Sequence, residues 1–307
     1  MKAAICLRYG PPEVLEVRDV PDPVPGVNDV LIRIHGAAIT PSDCFIRSGI
    51  PTARLVSRLA LRIGFGFAGP RRPILGAVIA GEIEATGRRV KRFRAGDHIW
   101  AFSLMRMGGY AQRMVLPERF KLLTHAPSNF SHEEAAAVPY GGLIASHFLN
   151  KGAIKSGQRV LIYGASGANG TIGVQLAKHR GAHVTAVCSA ANRDLVHTLG
   201  ADAVLDYMRD PPSALGRYDV IFDAVGRRKT SPLKAALPGA LNPGGVSISV
   251  DDGLPRARRE NLLALKALAE AGALRPVIDR AYPLADVAEA HRYVERGHKR
   301  GNVLLAP

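Results

Sequence analysis

Along the first third of the chain, apolar residues come in short runs broken by glycine and proline, and that punctuation predicts strands rather than helices. Residues 3–7, 30–35, 79–85, 98–102 and 111–115 are such runs. Between them stand Gly10-Pro11-Pro12, Pro21-Asp22-Pro23, Pro25-Gly26, Gly96-Asp97 and Gly108-Gly109, whose backbone preferences suit tight reversals. The expected product is a compact β-rich domain, partly closed as a barrel. One stretch departs from the pattern. Within 52–63, Leu55, Val56, Leu59 and Ile63 share a helical face, and Arg54, Arg58 and Arg62 line a neighbouring stripe. This predicts a short amphipathic helix, either a lid with solvated arginines or a surface for a membrane or acidic partner. A single short helix supplies little insertion energy, which favours the lid.

Near residue 131 the period changes. A helix over 133–138 is expected to lead through Pro139 and Gly141-Gly142 into another over 143–150. Apolar runs at 160–163, 183–188, 203–205, 220–222 and 246–250 then alternate with helical segments, one ending near Lys178 and one over 193–199. Short apolar, β-branched runs separated by helices imply a parallel sheet covered on both faces, and thus a doubly wound α/β domain. The tail reads as a helix over 260–271, an extended piece over 276–282, a helix over 285–295 and a last strand over 302–305. It is expected to complete the first domain. The predicted division is therefore 1–122, a β-rich catalytic domain; 123–255, a nucleotide-binding domain; and 256–307, the closing segment of the first.

The chemistry starts where the first of these parallel strands ends. Val160-Leu161-Ile162-Tyr163 runs into Gly164-Ala165-Ser166-Gly167-Ala168-Asn169-Gly170, and a helical pattern follows at once. A glycine-rich turn between strand and helix presents backbone N–H groups at a helix N-terminus, where a pyrophosphate is received. Glycine is needed where a Cβ would collide with phosphate or with the neighbouring strand. Selection of NAD usually places a carboxylate at the end of the second strand. Here that position reads Cys188-Ser189-Ala190-Ala191-Asn192-Arg193, with no acid before Asp194. The hydroxyl of Ser189 and the cation of Arg193 suit a 2′-phosphate, so NADPH is the expected cofactor.

Composition narrows the picture in two places. The 41 basic and 26 acidic residues leave a net charge of +15, which suits polyanions such as cofactors, nucleic acid or an acidic carrier protein. The basic residues are dispersed, with no aromatic-interleaved basic block, which argues against a nucleic-acid partner. Cys6, Cys44 and Cys188 are scattered and form no metal or redox spacing. That pattern fits a reducing compartment. No apolar run reaches membrane-spanning length. The first residues enter a strand pattern directly, without the features of a secretory signal, so a cytoplasmic protein is expected.

Taken together, residues 164–178, Ser189, Leu199-Gly200-Ala201-Asp202, Asp206-Tyr207, Asp223-Ala224-Val225-Gly226 and Pro243-Gly244-Gly245 resemble the medium-chain dehydrogenase/reductase superfamily. So do Thr40-Pro41-Ser42-Asp43 with Arg47 and Gly49, Leu75-Gly76, Ala80-Gly81 and Gly96-Asp97 upstream, and Tyr282-Pro283-Leu284, Ala288-Glu289-Ala290-His291 and residues 297–303 downstream. The resemblance covers nearly the whole chain and is nearest to the zinc-free, quinone-oxidoreductase-like branch that includes reticulon-interacting-protein-like enzymes. It implies a GroES-like β-rich catalytic domain joined to a Rossmann domain, and a homodimer. Zinc members carry Cys where this chain has Thr40-Pro41 and Gly-His-Glu where it has Gly76-Ala77-Val78, so no metal is expected. The resemblance further implies that Ser166, Gly167, Ala168 and Asn169 cradle the pyrophosphate. Tyr207 would join Ser189 and Arg193 around the 2′-phosphate. Val225, Gly226 and the tail residues Lys299, Arg300 and Gly301 would also reach NADPH. Ala168-Asn169 replaces the family's usual Gly-Val, which bears on side-chain contacts more than on backbone ones.

Without a Lewis acid, reduction of a conjugated acceptor is more natural than alcohol oxidation. The expected reaction is hydride transfer from NADPH to a small-molecule electron acceptor, a quinone or an α,β-unsaturated carbonyl. An enoyl-thioester reductase attracted to CoA or a carrier protein, and a cofactor-sensing RNA- or protein-binding module, are the alternatives that the positive charge leaves open. No triad or carboxylate pair stands out. Asp43 and Tyr140 are the candidate catalytic groups, with Asp43 alternatively paired to Arg47, and Tyr140 or Tyr110 alternatively a packed aromatic.

Overall fold

The computed structural model describes residues 1–49 and 65–307; the arginine-striped helix predicted over 52–63 lies outside the described residues. The chain divides into two compact units, Met1–Pro139 with Ile278–Pro307, and Tyr140–Val277.

The first unit opens with an antiparallel pair, β1 (Lys2–Cys6) and β2 (Leu15–Asp19). The long strand β3 (Asp29–Ile39) follows, then helix α1 (Pro41–Arg47) and strands β4 (Val78–Thr86), β5 (His98–Phe102), β6 (Arg113–Pro117) and β7 (Leu123–His125). Helix α2 (His132–Ala136) packs across β3, β4 and β5. β3 organises the unit. One edge pairs with β4 along most of its length, while the other pairs first with β6 and then with a strand from the C-terminus. Its Val30, Ile32 and Ile34 alternate inward, as a half-buried strand requires. They join Ile79, Ile83, Ile99 and Leu116 in one apolar core. Trp100 is wholly enclosed, and its indole N–H donates to Thr124 Oγ1 at 2.7 Å, which removes the cost of burying that donor.

The second unit holds α3 (Pro139–Lys151), β8 (Arg159–Tyr163), α4 (Ala168–His179), β9 (His183–Cys188), α5 (Arg193–Thr198), β10 (Ala203–Asp206), β11 (Tyr218–Asp223), α6 (Pro232–Ala235), β12 (Leu241–Ser249) and α7 (Arg259–Glu270). Its five strands form one parallel sheet in the order β10-β9-β8-β11-β12. The order reverses direction beside β8, and in open α/β sheets ligands bind off the carboxyl ends of the strands at such a switch point. The chain then returns to the first unit with β13 (Ile278–Pro283), α8 (Val287–Glu295) and β14 (Asn302–Ala306); β14 runs antiparallel to β3 and parallel to β13.

Several elements differ from the sequence pattern. Both expected helices are present, but the second, α3, already starts at Pro139 and includes Gly141-Gly142, which were expected to link the two. Proline is tolerated at a first helical position, and Leu265 of α7 packs so close to Gly142 that a Cβ there would lie 2.7 Å from its Cδ1. The division between units falls at Pro139/Tyr140 and Val277/Ile278 instead of 122/123 and 255/256. The cause is packing: α2 covers the first unit's sheet, while α7 packs on α3. β2 escaped notice because charged residues occupy its exposed positions, and α1 because its seven residues are too few to show a helical period.

Candidate functional site

In the second unit the strand-to-helix turn has the geometry that its glycines imply. Gly164 sits at φ +80°, a left-handed value that a side chain disfavours. At Gly170 a Cβ would fall 2.2 Å from Gly164 O and 2.6 Å from Ala165 Cα, so only glycine lets α4 begin this close to the end of β8. α4 is capped by Gly167, whose side chain can make no bond. Its first N–H groups therefore have no intrahelical acceptor and no competing side chain. They are free to meet an anion, with the helix dipole in favour.

Around the turn the structure gathers the remaining predicted residues of this unit. Ser166 lies in the turn, and Ser189 follows β9. Asn192, not singled out in the sequence, connects them: its Nδ2 donates to Ser166 Oγ at 3.1 Å and to Ser189 Oγ at 3.2 Å. Arg193 opens α5 with its side chain exposed, and Tyr207 follows β10, half-buried 6.4 Å from the Tyr163 ring. Asp206 is a carboxylate beside this group, yet it already accepts from Ala190 N at 3.2 Å and Met208 N at 2.9 Å. Two buried acceptors, Asn169 Oδ1 and Asn192 Oδ1, have no hydrogen-bond partner among the described residues. Unsatisfied buried acceptors require a donor from elsewhere, and a ligand carrying hydroxyls would provide one.

Val225 and Gly226 sit on a loop after β11. Asp223 Oδ1 accepts both of their N–H groups, at 3.2 and 3.1 Å. Lys234 of α6 holds the other side, with Nζ 2.9 Å from Asp223 Oδ2, a bond to Gly226 O, and the ammonium 5.3 Å from the Tyr163 ring centre. Tyr163 in turn shares a hydrogen bond with Ser231, the cap of α6. Nothing local in the sequence marks Lys234 as the partner of Asp223; the fold alone joins them.

Lys299, Arg300 and Gly301 belong to the first unit, just ahead of β14. Asp279 fixes them by accepting the Arg300 N–H at 3.0 Å, together with the Tyr293 hydroxyl at 2.7 Å. Lys299 donates to Gly301 O. Burial lowers the Lys299 ammonium to a pKa of about 8, against the opposing pull of Asp279 and Cys44.

The first unit also encloses a polar cluster around α1. Thr40 caps this helix in a capping box with Asp43, whose Oδ2 accepts from Thr40 N at 2.8 Å and Thr40 Oγ1 at 2.6 Å. Asp43 is wholly enclosed; burial raises its pKa, while the bonds from Thr40 act against that rise, and Asp43 Oδ1 and the Tyr110 hydroxyl have no hydrogen-bond partner among the described residues. Arg47 does not pair with Asp43. Its guanidinium, 1% exposed, binds Glu295 of α8 and Gly10 O. Cys44 Sγ lies 3.4 Å from His291 Nδ1, and Tyr110 meets the His291 ring edge-on at 5.6 Å. Burial pushes the Cys44 thiol up, and lowers His291 to about 3 with help from Arg47. Tyr140, the second residue of α3, is half-buried in the other unit.

A zinc ion does not fit these residues. Thr40 Oγ1 is committed to Asp43, Val78 is a buried β4 side chain without a donor atom, and Cys44 is held as a thiol. Among the described residues no group of three His, Cys, Asp or Glu could hold a metal ion.

Comparison with known proteins agrees with this layout. Residues 26–128 match the alcohol dehydrogenase GroES-like domain family, and residues 168–255 and 247–305 match two families described as zinc-binding dehydrogenase. A mitochondrial NAD(P)H oxidoreductase of Mus musculus, RTN4IP1, is 32% identical over 99% of this chain and 89% of its own. The chloroplastic NADPH-dependent alkenal/one oxidoreductase of Arabidopsis thaliana is 29% identical over 100% of this chain and 80% of its own. The solved quinone oxidoreductase of Coxiella burnetii superposes with a TM-score of 0.84 at 25% identity, covering 100% of this chain and 99% of the other. No helix among the described residues is long and apolar enough to cross a membrane.

Proposed function

Because the chain belongs to the medium-chain dehydrogenase/reductase superfamily, we propose that it is an NADPH-dependent, zinc-independent reductase acting on quinones or α,β-unsaturated carbonyls. The observation that carries this reading is the uncapped N-terminus of α4 beside a hydroxyl-and-cation set, Ser189 and Arg193, whose one nearby carboxylate is already taken by backbone N–H groups. Relatives named for NAD(P)H, quinones and alkenals support it.

NADPH, when bound, supplies the hydride. The chain's share is binding and placement. The first N–H groups of α4, with Ser166 and Asn169, hold the pyrophosphate. Ser189, Arg193 and Tyr207 receive the 2′-phosphate through donors and charge. Asn192 keeps Ser166 and Ser189 in register, and Asp223 with Lys234 stiffens the loop of Val225 and Gly226 that bounds the cofactor. The family resemblance adds Lys299, Arg300 and Gly301 to the residues proposed to bind NADPH. Asp43 acts as a positioning residue, fixing the start of α1 from within the core, because an enclosed carboxylate committed to Thr40 has no path to an acceptor. Tyr140 remains the candidate proton donor.

Steady-state kinetics with NADPH and NADH against benzoquinones and enones test the reading. The expected outcome is a kcat/KM for NADPH at least about tenfold above NADH, collapsing in Arg193→Glu and unaffected by a strong chelator. A preference for NADH would overturn the cofactor assignment. Absence of turnover with every acceptor, despite NADPH binding, would overturn the reaction. Loss of activity on chelation would overturn zinc independence.

A further inference from the structure

A second site lies within the Tyr140–Val277 unit, at the opposite end of α3 from the glycine turn. The helix begins beside the turn, where a Cβ on Gly141 would come 2.2 Å from Ala168 O. It ends at Lys151, on the order of 15 Å further along the helix axis. There a cavity of about 530 Å³ is lined by His147, Asn150, Lys151, Arg256, Arg258 and Asn261, together with the exposed Leu254. No carboxylate is among the lining residues, and among the described residues none lies within ion-pair distance of Lys151, Arg256 or Arg258. Three cations converging without a counter-charge repel one another. Here Lys151 ends α3, and Arg256 and Arg258 lie on the exposed segment leading into α7.

The donors in the cavity are prepared. Arg256 N–H is directed at His147 Nδ1 at 3.4 Å, so in the neutral ring the proton resides on Nε2. That Nε2 is itself buried, with no hydrogen-bond partner among the described residues, so the open donors of the cavity are the side chains of Asn150, Lys151, Arg256 and Arg258. Arg180 donates to Leu149 O at 3.0 Å and to Asn150 Oδ1 at 2.6 Å. It thereby occupies acceptors at the helix end that would repel an anion, and leaves the Asn150 amide N–H₂ as a donor. Among the described residues, Lys151 Nζ bonds a backbone oxygen, Asp252 O at 3.4 Å, and lies over the face of Phe148. A site with donors, positive charge and no acceptor side matches a tetrahedral oxyanion.

We propose that this cavity binds a phosphate-bearing small molecule, separately from the dinucleotide. Charge and donor chemistry select phosphate, and a hollow of about 530 Å³ is of small-ligand size. The burial of His147 and the surrounding Lys151, Arg256 and Arg258 hold its pKa below the ordinary value. An anion lodged among those cations therefore raises that pKa, which gives the site its own reporter.

The test uses the full chain with ring-labelled histidine, and the His147 resonance is assigned by its loss in His147→Gln. Inorganic phosphate and pyrophosphate are titrated at ionic strength held constant with chloride. The expected result is a saturable shift of the His147 signal, with pyrophosphate binding more tightly, and an upward move of the His147 titration midpoint. Arg256→Glu with Arg258→Glu, whose exposed side chains make no ion pair among the described residues, should weaken the apparent affinity by about tenfold or more. Lys151→Gln should weaken it less. Saturation by pyrophosphate but not phosphate identifies a diphosphate ligand, and saturation by both with equal affinity a monophosphate one. A His147 signal that moves no further than in chloride, moves without saturating, or responds equally in the charge-reversed variant overturns the proposal.

Discussion

The glycine turn of the second unit and the α1 cluster of the first solve opposite problems. The turn leaves backbone donors open: it combines small residues, an uncapped helix and two amide oxygens without a partner among the described residues. The cluster closes polar groups in: Asp43, Arg47, Tyr110 and His291 are all enclosed, with Asp43 bonded to Thr40, Arg47 to Glu295 and Gly10 O, and His291 against Cys44. Open donors at a helix N-terminus are inexpensive because water satisfies them until an anion arrives. Enclosed charges are tolerated only with partners. The two regions should therefore fail differently: the first loses binding, the second loses folding.

The largest effect is expected in the cluster. Arg47 is 1% exposed and Glu295 37%, so removing the carboxylate strands a buried guanidinium, whereas removing the guanidinium leaves an acid that water can reach. Glu295→Ala should cost about 3 kcal/mol, near the lower end for breaking a buried pair. Arg47→Met should cost less, even with the Gly10 O bond lost. Urea unfolding of both variants measures the asymmetry, and equal losses would mean that the pair is effectively solvated. Next comes the turn. Gly170→Ala forces a Cβ against Gly164 O and Ala165 Cα, and backbone atoms cannot step aside as a flexible side chain does. About 2 kcal/mol of overpacking is expected, with NADPH affinity reduced well beyond what that instability explains. Calorimetric binding below the melting range separates the two contributions.

That contrast also decides what could be read from the residues. The turn is local: strand, glycines and helix lie within twenty positions, so Val160 to Lys178 announce it. Ser189 and Arg193 stand out in the sequence for the same reason, one strand further on. The parallel sheet follows from alternation of apolar runs and helices, whereas its strand order does not. The cluster joins Gly10, α1, Tyr110 and α8, segments from both ends of the chain, and no spacing rule links Arg47 to Glu295. Asp43 drew attention as a reactive carboxylate although the T-x-x-D spacing from Thr40 is itself a helix-start signature. Asn192 and Lys234 were invisible because their partners are reached across strand ends, where register sets the contacts.

A third prediction concerns acid. His291 is wholly buried with its pKa lowered from 6.5 to about 3, so between those values the unfolded chain holds a proton that the folded chain does not. Stability from this group is complete above pH 6.5 and declines as pH falls toward 3, by about 1.4 kcal/mol for each unit well inside the window. Subtracting the pH profile of His291→Gln from that of the parent isolates this slope from the carboxylates that titrate nearby. Parallel profiles would show that the imidazole takes up its proton without unfolding the cluster.

The smallest expected effect bears most directly on how open the turn is. Asn192 reaches both Ser166 and Ser189 through one amide nitrogen, at 3.1 and 3.2 Å, while its Oδ1 has no partner among the described residues. Asn192→Ala removes two long, partly buried hydrogen bonds but also an unsatisfied acceptor. The two changes oppose each other, and the net cost to folding should be about 1 kcal/mol or less. Binding should suffer more than folding, because Ser166 and Ser189 lose their common tether and the ligand loses the acceptor that awaits it. Asn192→Asp sharpens the point: the carboxylate cannot donate to either serine as the amide does, and it sets a negative charge beside the position proposed for the 2′-phosphate. The Asp variant should therefore weaken NADPH more than NADH, whereas the Ala variant should weaken both alike. Paired titrations of the two cofactors against the two variants read this directly. If Asp and Ala reduce NADPH and NADH in the same ratio, the 2′-phosphate does not lie near Asn192, and the donors of Ser189 and Arg193 serve some other part of the nucleotide.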